Sequence, residues 1–319
     1  MDDGFTSFIP SRINGIVHLP SDSTALVDAD EEVFLAYTRL SSSQSAGGTA
    51  MFRGLGHVDS RKDTLTVTFE LRPPAGAQDG TATKRSRKKK TLKETNIEFE
   101  LMQDTTSLRS RPGDTGSVLW QASIAFANVI LQEHYYPVAE PFLEPSTLAD
   151  AHILELGAGT GMLSILLAPM VKRYTVTDIP ALLPLIRKNV VLSYPGWPRL
   201  TSKGGNIAVE ELDWVTLQSA SPTVRSKYVP YIKKDPPKLV FVVDCIYNPS
   251  LIKPLVDTID YVSSSDTTVV VVSELRAETV VREFLDAWLS LPGWKIWSAG
   301  AGVLNVPYVV WIAAKEASG

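Results

Sequence analysis

One eight-residue stretch constrains this chain more than any other: Leu154-Glu155-Leu156-Gly157-Ala158-Gly159-Thr160-Gly161. It joins a short apolar run that reads as a buried strand (153–156) to a longer apolar stretch that reads as a helix (162–171). Glycines spaced G-x-G-x-G at such a junction permit positive φ and let a ligand approach bare backbone. A dinucleotide pyrophosphate wants G-x-G-x-x-G, and Met162 stands where its third glycine would fall. A tight turn without a ligand would use the same residues.

The flanking pattern repeats that strand-helix unit. Strands are expected at 174–177, 240–243 and 267–273, and helices at 119–131, 182–192 and 280–289. Two final strands, 294–297 and 308–313, read as an antiparallel hairpin. The β-branched runs at 240–243 and 267–273 suit central parallel strands buried on both faces. Upstream, residues 28–40 read as a helix with Asp28 as its cap and Glu31 completing a capping box. Residues 65–71 and 97–101 alternate apolar with polar, the period of half-buried strands. Between them lies a polar loop, 73–94, with the run Lys84-Arg85-Ser86-Arg87-Lys88-Lys89-Lys90 and Lys93 beyond it. Such a tract is a solvated loop, a nuclear import signal or an RNA contact.

Composition narrows the class. The chain has 319 residues, enough for two domains, and 44% of them are hydrophobic. A single cysteine excludes a disulfide framework, and four scattered histidines argue against a Cys/His zinc site. Formal charge is −4 and the isoelectric point is near 5.7. No apolar run reaches the ~18 residues of a membrane span, and the acidic Met-Asp-Asp-Gly start is unlike a signal peptide. A cytoplasmic protein, with nuclear entry open through the basic run, is expected.

Three acidic positions follow strand ends. Asp178 comes seventeen residues after Gly161, where a carboxylate accepts both hydroxyls of a ribose, although it also suits a helix cap ahead of Pro180. Asp213 is placed to accept from an adenine amino group and Trp214 to offer a flat face; a strand-end turn with a core Trp is the alternative. Asp244 and Tyr247 stand three apart in Asp244-Cys245-Ile246-Tyr247-Asn248-Pro249. A carboxylate and a π face there favour the positive charge that develops on an attacking amine. The alternative for Asp244 is to cap its own loop. Cys245 reads as packing, with no histidine near it in sequence to activate a thiolate.

These stretches, with Ser107-Leu108-Arg109-Ser110, Thr115-Gly116-Ser117-Val118-Leu119-Trp120, Leu251-Ile252 and Leu275-Arg276, resemble a known family. Residues 107–319 look like the seven-β-strand, Rossmann-like methyltransferases of family sixteen, which carry Asp-x-x-Tyr after strand four. Within it, the N-terminal order of helix, strand and basic loop is similar to the fungal ribosomal lysine N-methyltransferase 5 type. The resemblance implies an α/β fold. A seven-stranded class I methyltransferase sheet with helices on both faces (107–319) follows a small α+β extension (1–106). It implies S-adenosylmethionine as cofactor, with S-adenosylhomocysteine as product, and no metal. Glu155, Gly157, Gly159 and Gly161 would serve the methionine part and sugar, Asp178 the ribose, and Asp213 and Trp214 the adenine. Trp120 would reach the cofactor from the preceding helix, and Asp244 and Tyr247 would form the catalytic, acceptor side. The implied substrate is a lysine of a protein, a ribosomal protein of the large-subunit stalk, with nucleic acid contact open to residues 84–93.

Three rivals stand beside this reading. A nicotinamide oxidoreductase lacks its glycine fingerprint here, and a non-catalytic binding subunit would not need the intact loop and acids. An RNA methyltransferase acting on exocyclic nitrogens would carry Asp/Asn-Pro-Pro-Tyr where this chain has Asp244-Cys245-Ile246-Tyr247.

Overall fold

The computed structural model describes residues 9–45, 56–74, 93–106 and 115–316. The basic run at 84–90 and the stretch Ser107–Ser110 lie outside the described residues.

Strands β6 (His152–Leu156), β7 (Arg173–Asp178), β8 (Ile207–Glu211), β9 (Leu239–Val243) and β10 (Thr268–Glu274) run parallel, and β11 (Trp294–Ser298) and β12 (Tyr308–Lys315) close the sheet. Their spatial order is β8-β7-β6-β9-β10-β12-β11, with β12 antiparallel to both neighbours. Every residue of β6, β9 and β10 is buried, because helices cover both faces. On one face α2 (Gln121–Tyr135), α3 (Met162–Leu167) and α4 (Leu183–Ser193) contribute Phe126, Leu163 and Ile186 to a core shared with Phe241. On the other, α1 (Ala29–Ser45), α6 (Pro249–Val262) and α7 (Glu278–Leu289) bury Val33, Ile259 and Phe284 against Val240 and Val271. A short helix, α5 (Trp214–Ser219), follows β8.

The described N-terminal residues, which include the paired strands β1 (Arg12–Ile13) and β2 (Val17–His18), are woven into this body. Strand β3 (Thr24–Ala25) pairs with β11 and makes the sheet eight-stranded, one more than residues 107–319 supply. Glu32 of α1 is buried, accepting from Ser298 Oγ at 2.7 Å and the Trp311 indole at 3.0 Å. Across the pattern break near residue 106, the described N-terminal residues pack on the sheet of the residues that follow it. Strands β4 (Thr64–Leu71) and β5 (Thr95–Met102) form the expected antiparallel hairpin. Leu65, Val67, Phe69 and Leu71 all face the core that holds Phe126. The Asn189 amide of α4 bonds both backbone groups of Met102 and the carbonyl of Thr160, tying this hairpin to the glycine loop.

Two expected boundaries shift for local reasons. The helix after the glycine loop ends at Leu167 and tightens into a turn at Ala168–Met170, since Pro169 lacks an N–H and crowds the preceding turn. Helix α2 starts at Gln121 rather than 119. The Leu119 N–H is drawn to Gln103 Oε1 at 2.7 Å, and Trp120 stays extended, bridged to His57. Asp28 caps α1 as expected, accepting from the Glu31 N–H at 3.0 Å.

Candidate active site

A cleft opens at the carboxyl ends of β6, β7 and β9, where ligands of open α/β sheets bind. The glycine loop forms its floor. Gly159 has φ +59°, and a Cβ there would lie 2.8 Å from the Gly116 carbonyl. The backbone of the 115–120 segment can close over the loop only because that position is bare. Asp178, buried at the end of β7, accepts from the Gly159 N–H and from its neighbour Ile179 N–H, both at 2.7 Å. One carboxylate thus sets the loop and lines the cleft. Trp214 lies across Gly157, and its indole N–H is buried without a hydrogen-bond partner in the protein.

The other end is a cluster of side chains. Asp244 directly follows β9 in a left-handed backbone conformation, φ +61°, which Asp tolerates better than most residues. Its carboxylate is 1% exposed and takes both arms of Arg276, Nη1 to Oδ1 at 2.8 Å and Nη2 to Oδ2 at 2.7 Å. Glu274 Oε2 also binds Nη2, at 2.8 Å. The guanidinium lies over the Trp120 ring, 4.8 Å from its centroid, and His57 packs on that ring at 4.9 Å. Burial opposes the Arg276 charge, but bonding and attraction from Asp244 and Glu274 outweigh it and raise its pKa. Burial, then the Arg276 charge, push the His57 imidazole below its ordinary value.

The cleft brings together Trp120, Gly157, Gly159, Asp178, Asp213, Trp214, Asp244 and Tyr247 of the residues singled out from sequence. Glu155 and Gly161 are not among its lining. Glu155 is buried behind the loop, receives the Tyr174 hydroxyl at 2.9 Å, and burial pushes its carboxyl up to about 8. It braces β6 against β7 through that bond. Gly161 caps α3 with φ +76° and packs on Ile186. Asp213 caps α5, accepting from the Val215 and Thr216 N–H groups and from Thr216 Oγ1, so its carboxylate is already engaged. Asp244 is likewise not a free carboxylate, because Arg276 holds both oxygens. Cys245 is packing: its thiol is buried, donates to the Leu156 carbonyl at 3.4 Å, and burial raises its pKa well above the usual value.

Sequence reasoning missed His57 and Glu274, and it gave Arg276 no role. The signal for Arg276 was its place two residues after Glu274 at a strand end; His57 offered none, since only the fold brings it to Trp120. Among the described residues, no group of three or more His, Cys, Asp or Glu is placed to hold a metal, and no helix is long and apolar enough to cross a membrane.

A glycine loop at the carboxyl edge of the first parallel strand, in a sheet ordered this way with a reversed β12, defines a Rossmann-like class I methyltransferase fold. The chain belongs to the lysine methyltransferase family, whose model matches residues 104–289. It is 29% identical over 238 residues to the Schizosaccharomyces pombe protein named diaminohydroxyphosphoribosylamino-pyrimidine deaminase, covering 73% of this chain and 46% of that one. It is 33% identical over 104 residues to methyltransferase-like protein 22 of Mus musculus, covering 32% and 23%. To the protein-lysine methyltransferase METTL21E of Bos taurus it is 23% identical over 165 residues, covering 51% and 49%. The chain thus spans half or less of the length of these curated relatives. Among solved structures, the N-methyltransferase NodS of Bradyrhizobium japonicum with S-adenosylhomocysteine is a loose likeness, with TM-score 0.33, 15% identity, and coverage of 54% of this chain and 81% of that one.

S-adenosylmethionine is the cofactor of this fold and family, and the residues fit it. The bare backbone at Gly159, the loop-setting Asp178 and the Trp214 side chain line one continuous cleft.

Proposed function

We propose that the chain is a protein-lysine N-methyltransferase, and that its substrate is a large-subunit ribosomal protein of the mobile stalk. The observation that carries the reaction is the cleft itself. It has a backbone floor with Asp178 at one end and Asp244, Tyr247 and Trp120 at the other, in a chain of the lysine methyltransferase family.

S-adenosylmethionine, when bound, supplies an electrophilic methyl group. Asp178 holds the loop by accepting from the Gly159 and Ile179 N–H groups, and its carboxylate lines the cleft where vicinal ribose hydroxyls would bind. Trp214 supplies a flat wall. At the far end, Trp120, Tyr247 and Leu251 join the lining of the cleft, a mostly apolar set suited to the alkyl stem of a lysine. A lysine amine, with an ordinary pKa of ~10.4, attacks only when neutral, and desolvation there lowers the cost of shedding its proton. The protein then contributes mainly alignment, worth on the order of 7–11 kcal/mol at best.

The ribosomal substrate rests on the likeness of the N-terminal order and motifs to that subtype. A chain of net charge −4 also suits a basic partner. Contact of residues 84–93 with ribosomal RNA belongs to the same proposal. The test is incubation with methyl-labelled S-adenosylmethionine and a ribosomal fraction, followed by mass spectrometry of the labelled band. Methyl-lysine in a stalk protein is the expected product. Label in RNA would overturn the reaction, and label in a non-ribosomal protein only would overturn the substrate.

A further inference from the structure

We propose that Arg276 is a positioning residue for methyl transfer: it clamps Asp244 and the Trp120 ring into one wall of the cleft, and Asp244 serves through that clamp rather than by offering its charge to the incoming amine. The proposal rests on the reading of the cleft as a lysine methyltransferase site. Asp244 and Trp120 both line the cleft, whereas Arg276 and Glu274 stand behind them. The fork of Arg276 meets Asp244 bidentately, the geometry in which a guanidinium fixes a carboxylate in orientation as well as charge. Its flat face lies on Trp120, so one side chain joins two residues from distant segments into a single wall.

The surroundings leave the guanidinium little room to move. Gly56, at φ +89°, packs so tightly that a Cβ there would sit 2.5 Å from both Arg276 Nη2 and Glu274 Oε2. His57 covers the Trp120 ring, and the 57–120 backbone bridge fixes that ring to the N-terminal segment. The Arg276 Nε–H is buried with no partner, a cost that burial for stability alone does not explain. With both Asp244 oxygens engaged and the side chain 1% exposed, a substrate ammonium would have to displace an internal cation to reach it.

Arg276→Met, Arg276→Lys, Asp244→Asn and the Asp244→Asn/Arg276→Met double variant test this. Calorimetry with S-adenosylhomocysteine, initial rates on a ribosomal fraction, and hydrogen exchange of segments 115–123 and 244–251 are the readouts. Cofactor affinity is expected to hold within about threefold. Arg276→Met should lose at least tenfold in kcat at little change in KM, Arg276→Lys should fall between, and the double variant should be no slower than the worse single. Additive losses, or full turnover in Arg276→Met beside a crippled Asp244→Asn, would overturn the clamp. If the wild-type protein transfers no label to any acceptor, the lysine methyltransferase reading fails by itself. The clamp is then judged by exchange: faster exchange in both segments of Arg276→Met with unchanged cofactor affinity upholds it, and unchanged exchange overturns it. Should Arg276→Met not fold, Arg276→Lys, which keeps the charge and loses the fork, is read by the same rates and exchange.

Discussion

At the glycine-loop end of the cleft the ligand-facing surface is backbone, ordered by the single carboxylate of Asp178. At the Asp244 end it is side chains, ordered by the single guanidinium of Arg276. The first arrangement comes from one strand, one turn and the end of the next strand. The second gathers residues 56–57, 120, 244 and 274–276, which only the fold brings together. Backbone geometry tolerates no added atom, whereas a charge cluster tolerates small changes and loses alignment by degrees. The two ends should therefore fail differently: one in cofactor affinity, the other in turnover.

The largest effect is expected from Gly159→Ala. The new methyl group would meet the Gly116 carbonyl at 2.8 Å, backbone against backbone, in a left-handed conformation that already costs about 1–2 kcal/mol for a non-glycine residue. Calorimetry should show S-adenosylhomocysteine affinity falling by about 100-fold or more, roughly 2.7 kcal/mol. Retained affinity would show that this end is less rigid than its backbone contacts imply. Asp178→Ala comes next. It removes the acceptor for two backbone N–H groups along with the charge proposed to meet the ribose, and charged hydrogen bonds are worth about 1.5–3 kcal/mol. Affinity should fall by roughly 10- to 150-fold, and an unchanged value would remove Asp178 from the cofactor site.

How legible each end was follows from the same contrast. Leu154 to Gly161 and Asp178 could be read because a strand, a turn and a strand end are short-range patterns. The alternation of 65–71 gave the hairpin for the same reason. The two-residue strand β3 is too short to leave a period, and its pairing with β11 is long-range, so the eighth strand was invisible. Spacing placed Glu155 beside the loop but could not report its partner, because it does not tell which way a strand side chain points; here it accepts from Tyr174. Asp213 and Asp244 stand at legible positions, but their partners, α5 and Arg276, decide what they do, and spacing does not report partners.

Gly56→Ala carries the comparison to the acceptor end and should have a smaller effect than either loop variant. Its methyl group would press on Arg276 Nη2 and Glu274 Oε2, side-chain ends rather than backbone, and push the clamp out of its alignment without touching the loop. Turnover on a ribosomal fraction should fall by about tenfold, near 1.4 kcal/mol, while S-adenosylhomocysteine affinity stays within about threefold. Equal losses in both would mean that the two ends are one mechanical unit.

The smallest effect on activity is expected from Glu155→Gln, and its signature is in pH. Burial holds the Glu155 carboxyl at about 8 in the folded protein, far above its ordinary value of 4.5. A folded-state value above the unfolded one means that the native chain keeps a proton the unfolded chain releases. The stability this proton confers is fully present below about pH 4.5 and declines as pH rises toward 8. Glutamine keeps an oxygen for the Tyr174 hydroxyl and has nothing to titrate. Melting temperature measured from pH 5 to 8.5 should therefore decline less in Glu155→Gln than in the wild type, with the variant ahead at the alkaline end. Because Glu155 lies behind the loop and outside the cleft lining, cofactor affinity at pH 7 should change by less than about threefold, under ~0.7 kcal/mol. A large loss of affinity with an unaltered melting profile would put Glu155 back at the methionine end of the ligand and make the backbone floor depend on a side chain after all.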